Sequence, residues 1–113
     1  MKTLDLKDFI PNAQPPFDMD ENDFIDPTTL IGKDIEIRKA MTFENHKGPG
    51  VYLQFNFPGE EKLHYTTSHA GGITRIFENA DLVALLEEGN TLPAKINRRP
   101  SKKDATKTVW ELI

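Results

Sequence analysis

No cysteine occurs in these 113 residues. Disulfides, thiol nucleophiles and cysteine-ligated zinc are therefore excluded, and a reducing cytoplasm is the simplest expected setting. Long apolar runs are also missing: nothing approaches the ~18 residues a membrane helix needs, so no membrane span is expected. The start, Met1-Lys2-Thr3-Leu4-Asp5-Leu6-Lys7-Asp8, lacks the apolar stretch and small-residue cleavage site of a secretory leader. Histidine is scarce, and His46, His64 and His69 do not stand at helical metal-ligand spacing; their default role is on the surface or in the core. Gly71-Gly72 lacks the Lys-Ser/Thr that completes a phosphate cradle, no nucleophile sits in an elbow motif, and Glu87-Glu88 reads as a solvated helix end. The expectation is a non-enzymatic protein with no metal and no cofactor.

What the chain does contain is unevenly distributed. Apolar residues make up 37% and charged residues 28%, which suits one soluble domain with one core and a polar appendage. Residues 1–27 carry seven acids (Asp5, Asp8, Asp18, Asp20, Glu21, Asp23, Asp26) against two lysines, a net −5. Residues 28–113 carry twelve cations against eleven acids, a net +1. The overall −4 thus belongs to the first 27 residues, and the remainder is near neutral.

Residues 1–27 read as an extended acidic amino-terminal arm, and residues 28–113 as the folded domain. Pro11, Pro15, Pro16 and Pro27 interrupt any regular element in the arm. Two acidic-aromatic units lie there, Asp8-Phe9-Ile10-Pro11 and Asp23-Phe24-Ile25-Asp26-Pro27. In the plain reading, Phe9, Phe17 or Phe24 folds back onto the domain, as isolated aromatics usually do. In the alternative, Phe9, Phe24, Asp20, Glu21 and Asp23 form a partner-binding peptide that hides its aromatics until it docks.

From Gly32 to Glu44, Ile35 and Ile37 alternate with Glu36 and Arg38, the period of a half-buried strand. Met41 and Phe43 continue the isoleucine parity only through Lys39, which implies a bend or bulge near Lys39-Ala40. Asn45 to Gly50 is a turn by composition. In Val51–Phe57, Val51, Leu53, Phe55 and Phe57 face a core, and Tyr52, Gln54 and Asn56 face away. Pro58-Gly59-Glu60-Glu61 closes a hairpin into a third strand, Lys62–Thr67. Its facing is open: either Leu63/Tyr65 or His64/Thr66 points inward. Ser68 is an expected helix N-cap. Ile73, Ile76, Phe77, Ala80, Val83, Ala84 and Leu86 make a helical stripe, Asn79 marks an expected break, and Gly89 an expected end. Leu92–Asn97 begins a fourth strand and Thr108–Ile113 is a fifth.

This order is that of an all-β domain with one helix: a five-stranded OB-fold Greek-key barrel, β-β-β-α-β-β. On Thr66-Thr67-Ser68, the amphipathic helix, Leu92-Pro93 and Ile96 before a basic hairpin, residues 32–113 resemble small single-stranded-DNA-binding proteins of bacteriophages and mobile elements. The helical segment here is longer than that group's, and the acidity lies at the opposite end from the acidic tip of cellular proteins of this kind. The resemblance implies DNA replication or recombination in the cytoplasm of a bacterial or phage-infected host cell.

A single-strand groove needs cations for phosphates and flat side chains for unstacked bases. The loop Asn97-Arg98-Arg99-Pro100-Ser101-Lys102-Lys103-Asp104-Ala105-Thr106-Lys107 holds five cations against one acid. Its other reading is an ordinary solvated hairpin tip. Expected phosphate contacts are Arg38, Lys39, Lys47, Lys95, Arg98, Arg99, Lys102, Lys103 and Lys107. Tyr52 is the expected stacking residue, with Phe43, Tyr65, His64 and Trp110 as further flat side chains; Trp110 also suits a core or a barrel seam. Gln54 and His64 would line the groove. The expected function is sequence-tolerant binding of single-stranded DNA, with the arm either recruiting a replication or recombination protein or shielding the groove; a homo-oligomer is compatible with this. The rival is a protein-binding adaptor, inhibitor or structural component that binds no nucleic acid.

Overall fold

The computed structural model describes residue 3 and residues 16–113. Its centre is a five-stranded antiparallel sheet in the order β3-β2-β1-β4-β5, an all-β arrangement with one interrupted helical segment. The strands are β1 (Asp34–Asn45), β2 (Gly48–Asn56), β3 (His64–Ser68), β4 (Leu92–Pro100) and β5 (Thr108–Leu112).

β1 organises the sheet because it pairs on both sides. Its first residues, Asp34–Ile37, pair with β4, and most of its length pairs with β2. The bulge expected from Lys39 is present: Ile37 stands opposite Phe55 and Lys39 opposite Gln54, which leaves Arg38 as the extra residue. One extra residue inverts every later side chain, because the strand period is two. Ile35 and Ile37 point into the core before the bulge and Ala40 after it, so Met41 and Phe43 turn to the outer face.

The register also decides the facing of β3. His64 and Thr66 stand opposite Phe55 and Leu53, on the core side. Tyr65 and Thr67 stand opposite Gln54 and Tyr52, on the outer side.

The core gathers Leu30, Ile35, Ile37, Ala40, Val51, Leu53, Phe55, Ile73, Phe77, Leu86 and Ile96. Its helical cover is broken where expected. α1 (Gly71–Thr74) runs into a 3-10 turn at Arg75–Glu78, and α2 (Ala80–Glu87) begins after Asn79. Asn79 has extended backbone, φ −74° and ψ 106°, and its side chain accepts from the Asp81 and Leu82 amides. That is the geometry of an N-cap, and it lets Ile73 and Phe77 on one side and Leu86 on the other reach the same core. Ser68 is not the helix cap: its Oγ accepts from the Ala70 N–H at 3.1 Å, two residues too early, and Ala70 holds the N-cap position. α1 packs closely on β5 because Gly72 has no side chain; a Cβ there would lie 2.2 Å from the Trp110 carbonyl oxygen.

The folded unit starts earlier than residue 28. The Ile25 N–H donates to the Tyr65 carbonyl at 2.9 Å, and Phe24 makes a parallel bridge to Tyr65. Asp26 caps the 3-10 turn Pro27–Leu30, and Leu30 is fully buried. The Gly32 N–H then donates to the Ile96 carbonyl at 2.8 Å. Residues 24–32 therefore strap the sheet from its β3 edge to β4.

Candidate nucleic-acid interface

The outer face of β1–β2–β3 carries an aromatic row. Phe43 and Tyr52 lie on neighbouring strands with ring centroids 4.5 Å apart, tilted by 31°. Phe43 also receives the edge of His69, 5.3 Å away at 85°. This packing needs Gly50 opposite Phe43, since a Cβ on Gly50 would meet the phenyl ring at 2.4 Å. His69 Nδ1 donates to the Pro49 carbonyl at 3.1 Å, which fixes its ring against the row. Tyr65 extends the row along β3. Tyr52 is half-buried and His69 exposed, so part of the row is open to a flat ligand.

The expected groove residues divide into three groups. Lys39, Tyr52 and Gln54 do share this face, and Lys47 is exposed in the turn at its end. Arg38 is tied down beside it: its Nε donates to Asn56 Oδ1 at 2.6 Å and its Nη1 to Thr91 Oγ1 at 3.1 Å. Asn56 passes the network to Glu36 and to the Phe57 and Glu60 carbonyls, which explains why this outward asparagine is 2% exposed. His64 departs from the groove. The register puts it on the core side, with its ring 5.8 Å from Phe55 and 5.4 Å from Phe57.

The second cluster is the β4–β5 hairpin. Its cations are not equivalent. Lys95 pairs with Asp34 at 3.6 Å and Arg99 with Glu111 at 3.1 Å. Asn97 also donates to Glu111 at 2.9 Å, and that hydrogen bond, helped by Arg99, holds the Glu111 carboxyl below its ordinary value. Asp104 is turned into its own loop, where Thr106 hydrogen bonds lower its pKa. Arg98, Lys102, Lys103 and Lys107 are exposed and form no ion pair among the described residues. Arg98 lies over Trp110, its guanidinium carbon 5.7 Å from the ring centroid. Trp110 stands opposite Arg98, half-buried and packed against the core.

A cleft of about 230 Å³ lies beside the aromatic face, lined by Pro27, Thr67, Ser68, His69, Ala70 and Trp110. Thr67 and His69 belong to the aromatic face, and Trp110 leads to Arg98. Neither Thr67 nor His69 was expected in the site. Thr67 was legible in principle, because it shares Tyr65's parity and pairs with Tyr52. His69 lies beyond the strand, and only the fold brings it to Phe43.

Of the expected partner-binding residues, Phe9 lies outside the described residues. Phe24 packs on Tyr65, 5.4 Å between centroids. Asp20 and Asp23 close a capping box around the 3-10 turn Glu21–Asp23, with Asp20 Oδ1 accepting from the Asn22 N–H at 2.8 Å. Among the described residues, no group of three His, Asp or Glu side chains is placed to hold a metal, and no helix is long and apolar enough to cross a membrane. Comparison with known proteins finds no family model, no curated protein and no solved structure that matches this chain.

Proposed function

We propose that this chain binds single-stranded DNA without strong sequence preference, as an OB-fold protein of the bacteriophage or mobile-element type acting in replication or recombination. The strand order β3-β2-β1-β4-β5, with a helical segment between β3 and β4, supports the barrel assignment: it is the order of an OB barrel opened between β3 and β5. The observation that carries the function is the pair of features on one molecule: an aromatic row on the β1–β3 face, and unpaired hairpin cations whose Arg98 lies over Trp110, which shares a cleft with His69 of the row. Tyr52, backed by Phe43, offers a flat surface to a base, worth about 1–3 kcal/mol per stack. Arg98, Lys102, Lys103 and Lys107 offer charge to the phosphates that follow.

The test is fluorescence anisotropy with labelled oligo-dT at two salt concentrations. Affinity falling steeply with salt is expected, because phosphate contacts release condensed counterions. Salt-independent affinity, or none at low salt, overturns the reading. The second reading is a protein partner on the same face, favoured by Met41 and Phe24, which are 44% and 41% exposed there.

A further inference from the structure

Gln54 and Tyr65 point away from the core, yet they are only 6% and 7% exposed. What covers them is the chain's own segment 19–25. Gln54 Nε2 lies 3.5 Å from Met19 Sδ, the Phe24 ring tilts over Tyr65, and the Ile25 N–H donates to the Tyr65 carbonyl. Between these anchors lies the turn Glu21–Asp23 with its cap Asp20, so the covering segment carries three carboxylates. The phenol's pKa is raised chiefly by burial, then by Tyr52 and by these acids. None of the three acids forms an ion pair among the described residues. The segment thus brings a ring and a run of carboxylates to this face, the kinds of group that a base and its phosphate would bring.

We propose that residues Met19–Ile25 and single-stranded DNA are alternative occupants of the β2–β3 outer face, the segment being a displaceable cover that weakens binding until a strand replaces it. The proposal rests on the DNA-binding reading above. The attachment is graded in a way that suits displacement. Ahead of Asp26 it consists of the Phe24–Tyr65 bridge with its Ile25 hydrogen bond, one tilted ring pair, one thioether contact and the half-buried Ile25 side chain against the core edge, with Phe24 still 41% exposed. Behind Asp26 it is firm, with Leu30 fully buried and Gly32 bonded to Ile96. Displacement therefore hinges at Asp26-Pro27 and gives up only the half-buried Ile25 from the edge of the core, while every fully buried core residue stays in place.

Native-state hydrogen exchange on the full chain, with and without saturating oligo-dT at low salt, tests this. The Ile25 amide should exchange about tenfold faster in the complex while the Gly32 amide does not change. Unchanged Ile25 protection at saturation overturns the cover and leaves the DNA reading standing. Two variants give a second measure: Asp20→Asn with Glu21→Gln and Asp23→Asn, and Met19→Ala with Phe24→Ala. Each should bind oligo-dT about three- to tenfold tighter, the competent fraction having risen. The charge variant's gain should shrink with salt. No gain in either variant, with wild type binding, also overturns the cover. Binding by the variants but not by wild type supports it in its strongest form. No binding by any of the three at low salt brings down the DNA reading, and the cover with it.

Discussion

The β1–β3 face and the β4–β5 hairpin are built from the same period-two strand, yet they solve opposite problems. On the β1–β3 face, flat side chains are supported from below by core residues and partly roofed by residues 19–25. On the hairpin, cations stand in solvent, and its one aromatic residue, Trp110, packs against the core. Stacking needs a rigid, pre-placed surface, because a base gains from contact area. Phosphate neutralisation needs no rigidity, because counterion release depends on charge proximity. The difference teaches that affinity and its salt dependence should respond to different mutations.

The largest effect is expected from the hairpin. Changing Arg98, Lys102 and Lys103 together to alanine should lower oligo-dT affinity at low salt by about tenfold or more and reduce the salt slope by up to ~2, at ~0.7 per lost single-strand contact. Arg99→Ala should do far less, because its guanidinium is already engaged by Glu111. Equal loss from Arg99→Ala and Arg98→Ala would break the distinction between paired and free cations.

Tyr52→Ala comes next. It should cost about 1–3 kcal/mol of binding and leave the salt slope unchanged, since a ring releases no counterion. Thermal stability should drop only by about 0.5–1.5 kcal/mol, the worth of the lost pairing with Phe43. Tyr65→Ala should reverse the balance, because Tyr65 is buried under Phe24. Melting curves and titrations of the two variants decide this, and a large stability loss in Tyr52→Ala would mean that Tyr52 is a core residue.

Much of this architecture was legible in the sequence, and the exceptions share a cause. β2 announced itself by alternation, Lys39 announced the bulge, and Asn79 the helix break, all local signals. The facing of β3 was not legible, because β-formers occupy both parities in His64–Thr67 and only pairing with β2 separates them. Gln54 and Asn56 read as solvent-facing; their burial comes from Met19, thirty-five residues away in sequence, and from Arg38. Leu30 has only the adjacent Ile31 as an apolar companion between Pro27 and Gly32, with no periodic pattern to mark it as core. On the hairpin, composition counted the cations correctly but could not show which were spent on Glu111 and Asp34.

The smallest expected effect follows from that last point and comes from pH. Glu111 is held below its ordinary value of 4.5 by the Asn97 hydrogen bond and by Arg99. A carboxylate whose folded pKa is depressed contributes stability that is fully present above the unfolded value and is lost as pH falls through the folded one. Its contribution should therefore be constant above pH 4.5 and decline below it. Glu111→Gln removes the titrating group, so its melting temperature should fall less than wild type's over the same acid range. The same substitution frees Arg99 at neutral pH and should strengthen oligo-dT binding slightly, with a slightly steeper salt slope. Melts across pH 3–6 for both chains, followed by titration at neutral pH, read both arms. Parallel acid melting curves would show that the Asn97–Glu111–Arg99 cluster contributes nothing to the hairpin. An unchanged salt slope would show that Arg99 does not reach the phosphates even when released.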